Sequence, residues 1–110
     1  MKAYPNWVVA GLLGLISSVA ASQAPPEPRR VQLIEMVRQD CGSCHGLTLK
    51  GGLGPALLPA TLAGKDAEQM RFVILNGRRG TPMPPWKDFI SESEAAWILE
   101  MLKHGLPDAR

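Results

Sequence analysis

Two cysteines and two histidines are all that 110 residues provide. A tetrahedral structural zinc site would consume all four. Charge of one sign is scarce as well: 12 basic side chains face 10 acidic ones, a net of +2, so no electrostatic footprint for nucleic acid is present. No stretch alternates as a strand would, which removes the βαβ setting of a thioredoxin-like dithiol. Repeats are lacking, and so is any apolar run of the ~20 residues that cross a bilayer comfortably. Nor does the chain offer a catalytic base or a substrate-pocket motif, which speaks against an enzyme.

What apolar run there is stretches from Trp7 to Ala21, fifteen residues behind Lys2, and closes on small side chains. A positive start, an apolar middle and a small-residue end are the layout of a secretory signal. Residues 1–21 are therefore expected to be a signal peptide, cleaved after Ala20 or Ala21; an uncleaved membrane anchor is the alternative. In either case the remainder lies outside the cytoplasm, and the expected location is the periplasm. Removing 21 residues leaves 89, with 11 basic against 10 acidic side chains. That is enough for one small domain with a thin core of its own.

The chemistry is concentrated in Cys41-Gly42-Ser43-Cys44-His45. Two thiols three residues apart can add across the two vinyl groups of one haem, and the next imidazole then reaches the iron. A disulfide would suit an exported chain but would leave His45 without a role. Haem accounts for all three residues, so one covalently bound haem c is expected, and its apolar surface would supplement the thin core. The second histidine, His104, falls at the end of a predicted helix, where it suits the C-terminal dipole better than a metal.

Along the chain, three prolines make residues 22–28 a linker. Arg29 to Asp40 is predicted as a helix, with Pro28 at its first turn and Leu33, Val37 and Cys41 on one stripe. Glycines and prolines make 46–64 a loop. Asp66 opens a second helix with Gln69 as capping-box partner, and Gly77 is placed to end it. Ser91 and Glu94 form the clearest capping box, starting a third helix whose apolar face is Ala95, Ile98, Leu99 and Leu102. Lys103 and His104 favour its end, Gly105 follows and Pro107 prevents continuation. The domain at 29–110 is thus expected to be all-α.

Five methionines are candidates for the far side of the iron. Met1 belongs to the signal, and Met36, Met70 and Met101 sit on helices where core filling explains them. Met83 alone lies in a rigid Pro-Met-Pro loop that can hold a thioether towards a metal. His/Met coordination raises the reduction potential and suits electron transfer. Trp86 is a candidate to cover the haem edge, and Trp97 to fill the core. Lys50, Arg78, Arg79 and Lys87 are candidates for pairing with haem propionates (Arg78 foremost), for a docking patch towards an acidic partner, or for plain solvation.

Together these residues resemble the class I cytochromes c. The resemblance is carried by Cys-x-x-Cys-His-Gly at 41–46, Gly-Pro-x-Leu at 54–57, Asn-Gly-Arg at 76–78 and Met-Pro at 83–84. It implies short helices wrapped around one covalent haem, three of them principal, with the first and last crossing. It also implies Cys41 and Cys44 as thioether anchors, His45 and Met83 as axial ligands, and the Pro55 carbonyl as hydrogen-bond acceptor for the proximal imidazole. One departure stands out. Family members often carry a glycine eight residues before the first cysteine and an aromatic four before it, where this chain has Leu33 and Val37. Without that glycine the crossing helices are expected to lie further apart or to meet at another angle.

More narrowly, residues 40–57 and 80–86 resemble the small monohaem cytochromes of denitrifying bacteria that accompany cytochrome cd nitrite reductase, the NirC type. This resemblance implies a monomeric one-electron carrier whose partners are redox proteins, cytochrome cd nitrite reductase among them. Two other readings stay open at this stage: an electron-supplying factor in maturation of that enzyme's haem d, and a ligand-binding haem sensor should Met83 not reach the iron.

Overall fold

A computed structural model describes residues 2–3, 14–15 and 23–107. The expected signal peptide therefore falls, apart from four residues, outside the described part. Among the described residues there is no strand, and no helix is long and apolar enough to cross a membrane. The elements are α1 (Arg29–Met36), a π-helical turn (Val37–Cys41), α2 (Gly42–His45), α3 (Pro59–Leu62), α4 (Ala67–Asn76) and α5 (Glu92–His104).

The first helix differs from its sequence expectation. It does not stop at Asp40 but continues through the π turn and α2 to His45, and Gly46 ends it. Nothing between Asp40 and Gly46 breaks a helix, since Gly42 and Ser43 merely weaken one. Pro28 stands one residue outside α1, as its N-cap. The loop expected at 46–64 contains the short helix α3, begun by Pro59 at a first-turn position that suits proline. At α4, Asp66 caps by accepting the Gln69 backbone N–H at 2.7 Å, while no return bond from the Gln69 side chain forms. The third expectation holds in full: Ser91 and Glu94 cap α5 reciprocally, at 3.1 Å and 2.9 Å.

The core gathers one to three residues from each part: Leu33 and Val37, Leu49, Leu62, Leu75, Ile90, and Ala95, Ile98 and Leu102 from α5. The α5 stripe is the one its periodicity predicts. Leu33 and Val37 are completely buried, so the positions that depart from the glycine and aromatic pattern are filled by core aliphatics. The most extensive backbone contacts of α5 are with α4 and α3. Ala95, also completely buried, is the small member of the cluster that Leu33 joins. Around this core lies an apolar fringe that is only half-buried, including Cys41, Leu57, Met70, Ile74 and Trp86. Met36, Met101 and Trp97 pack against the core in the same way.

Candidate haem site

Helical geometry does the first part of the work. Because residues three and four apart share a helix face, the continuation of α1 through α2 puts Cys41, Cys44 and His45 side by side. Both cysteines are free thiols and half-buried. Burial, with help from the Asp40 charge, pushes the Cys41 thiol up to about 11. The π turn ends at Cys41, the first residue of this face, and such turns are frequent at functional positions.

Beyond Gly46 the chain doubles back on α2. The Gly51 N–H donates to the His45 carbonyl at 2.8 Å and the Gly54 N–H to the Cys44 carbonyl at 2.8 Å. This return brings Gly54 against the imidazole: a Cβ there would lie 2.9 Å from both His45 Cε1 and Nδ1. Only a residue without a side chain permits that approach. Next in line, the Pro55 carbonyl stands 2.6 Å from His45 Nδ1. A carbonyl can only accept, so Nδ1 carries the proton and donates it, and Nε2 keeps its lone pair for a metal.

Met83 sits half-buried in a loop pinned at both ends. At one end the Arg78 N–H donates to the Met83 carbonyl at 3.2 Å. At the other, the Trp86 N–H is shared between the carbonyls of Ile74 (3.2 Å) and Leu75 (3.1 Å), and the Lys87 N–H also donates to Leu75 at 3.1 Å. Gly77 permits the tight return, with φ at +73° and the Met83 carbonyl oxygen 2.6 Å from where a Cβ would be. Met83 and Arg78 line one cleft of about 480 Å³ together with Phe72, Asn76, Arg79 and Thr81. Trp86 is not among its walls. Half-buried, it sets its ring 5.8 Å from that of Phe89 at 59° and packs on the core fringe.

Arg29, Arg30 and Arg38 form ion pairs. Lys50, Arg78, Arg79 and Lys87 are exposed and take part in none of the ion pairs among the described residues. His104 donates from Nδ1 to the Glu100 carbonyl at 2.8 Å, a bond along its own helix, and among the described residues no three His, Cys, Asp or Glu side chains are placed to hold a bare metal ion. Two contributors escaped the sequence reading. Gly54 was visible only as part of a turn, and Thr81, whose hydroxyl bridges Arg78 and Met83, went unmarked although threonine commonly bonds nearby backbone in turns.

The donor set fits haem c: two free thiols and an imidazole on one helix face, that imidazole in the metal-binding tautomer, a thioether in a braced loop, and half-buried apolar side chains fringing the core. Comparison with known proteins agrees. The family profile described as cytochrome c oxidase, cbb3-type, subunit III matches residues 32–102. Cytochrome c55X of Pseudomonas aeruginosa is 49% identical over 85 residues, covering 77% of this chain and 71% of that protein. The solved structure of c-type cytochrome NirC superposes with a TM-score of 0.71 at 49% identity, covering 73% of this chain and 94% of that one. The dihydro-heme d1 dehydrogenase of Pseudomonas aeruginosa is 34% identical over 96 residues, which are 87% of this chain but 18% of that protein.

Proposed function

Because the chain belongs to the c-type cytochromes, as a NirC-like member with one covalent haem c, we propose that it carries single electrons through the periplasm to cytochrome cd nitrite reductase. Its family is one of electron carriers linked to denitrification; the enzyme served and the compartment are our own reading. The observation that carries it is the bond from His45 Nδ1 to the Pro55 carbonyl, which readies Nε2 as a fixed, basic iron ligand.

When bound, haem c supplies a one-electron ferric/ferrous couple. The chain's residues do the rest. Cys41 and Cys44 would hold the haem as thioethers. His45, through Nε2, and the Met83 sulfur would be the protein ligands of its iron, and together they would keep small molecules off it. Trp86 would shield the haem from solvent, and Arg78 would pair with a propionate. Residues 1–21 act as the export signal, 22–28 as a linker, and the domain at 29–110 works as a monomer. Exposed Lys50, Arg79 and Lys87 meet the partner through a small, transient interface.

The test mixes the reduced holoprotein with purified cytochrome cd nitrite reductase in a stopped-flow spectrometer. Oxidation within the turnover time of the reductase supports the carrier. No oxidation, with the holoprotein still reactive towards small oxidants, rejects it.

A second reading is favoured by the likeness to the dehydrogenase: electron exchange during maturation of haem d. Loss of the gene separates the two. A nitrite reductase lacking haem d indicates maturation, whereas a complete but slowly reduced one indicates electron supply.

A further inference from the structure

We propose that the Thr81 hydroxyl is the positioning group that keeps Met83 seated, an inference resting on the reading of Met83 as axial ligand. Residues 82–85 are Pro-Met-Pro-Pro, and proline has no N–H. Met83 therefore owns the single backbone donor in this stretch. Its one partner is Thr81 Oγ1, at 3.3 Å. The same hydroxyl donates to the Arg78 carbonyl at 2.6 Å, so its proton is committed there and its lone pair is left to face the Met83 N–H.

The other half of the clamp is backbone. Arg78 N–H binds the Met83 carbonyl at 3.2 Å and Thr81 N–H binds the Arg78 carbonyl at 3.1 Å. Both polar groups of Met83 are thus tied to the turn at 78–81, one of them through a side chain. Thr81 is itself exposed. Solubility there is served by any polar residue, but this double bond needs a hydroxyl on Cβ. A methionine held at both its N–H and its carbonyl has little freedom to swing its sulfur away. A loop that has lost one hold gives way more readily to a competing ligand.

The experiment is an imidazole titration of the ferric holoprotein, followed at the sulfur-to-iron charge-transfer band, for wild type, Thr81→Val and Thr81→Ser. Valine keeps the branched shape and removes both hydroxyl bonds, whereas serine keeps them. The expected result is a roughly tenfold tighter apparent imidazole affinity in T81V, the scale of one or two lost hydrogen bonds. T81S should stay near wild type, and helix content by circular dichroism should be unchanged in both. If T81V does not load haem, Thr81→Ala carries the same comparison. Equal affinities for wild type and the variants lacking the hydroxyl would overturn the role of Thr81 while leaving Met83 on the iron. Absence of the charge-transfer band in the wild type would overturn both readings at once.

Discussion

The guanidinium of Arg29, at the start of α1, holds the carboxylate of Glu94, in the first turn of α5, across 65 residues of sequence. Arg29 Nη2 also donates to the Phe89 carbonyl at 2.7 Å. Glu94 works twice, since its Oε1 accepts the Ser91 N–H at 2.9 Å as the return half of the capping box. One carboxylate thereby caps the last helix and fastens it to the first.

That relationship predicts a pH dependence. The hydrogen bond from Arg29 holds the Glu94 carboxyl below its usual range, against the opposing effect of partial burial. A depressed folded-state pKa contributes stability above the unfolded value, about 4.3 for glutamate, and loses it as pH falls through the folded value. Glu94→Gln should therefore unfold roughly 2–5 °C lower than wild type near neutral pH. The gap should close as the wild type is acidified below pH 4 or so. A gap that persists at acid pH would locate the effect in packing instead of charge.

Gly54→Ala tests the proximal side. The added Cβ would meet the imidazole at 2.9 Å, and relief requires the ring or the loop to move, stretching the bond to Pro55. A weaker acceptor makes the imidazole a poorer donor to ferric iron. The reduction potential should rise, by roughly 50 mV for about 1 kcal/mol of lost differential stabilisation. Potentiometry of the holoprotein measures it, and an unchanged potential would mean that the loop absorbs the methyl group.

Met83→Ala should open the iron. The charge-transfer band should vanish, carbon monoxide should bind the reduced protein, and the potential should fall, because methionine ligation raises it. Optical spectra with and without carbon monoxide decide the matter. A wild type that already binds carbon monoxide would remove Met83 from the iron and revive the sensor reading.

Arg79 and Lys87 are exposed and belong to no ion pair among the described residues. Reversing both to glutamate should slow reaction with an acidic redox partner about tenfold at low salt, with the rates converging as ionic strength rises. Identical salt dependence in wild type and variant would show that these cations do not steer the encounter.

The legible features were those whose cause lies within a few residues. Cys41, Cys44 and His45 share a helix face by spacing alone. Ser91 and Glu94 cap each other across three positions. The prolines around Met83 exclude helix without reference to anything else. The features that stayed hidden have distant causes. The continuation of α1 into α2 passes through a π turn that no composition rule marks. The short helix Pro59–Leu62 buries Leu62 in a core supplied by other segments. Arg29 marks only the start of a helix in the sequence, because its partner lies on the last helix.

By itself, the sequence determined the cofactor chemistry, the three principal helices and the loop that bears the methionine, since each depends on local sterics and on reactive groups close together in the chain. Tertiary structure alone decided that Gly54 comes flush against His45, that Glu94 meets Arg29, and that Thr81 bridges Arg78 to Met83. Those contacts depend on where the backbone returns in space, and the return is set by burial of the whole core, which no short window of residues contains.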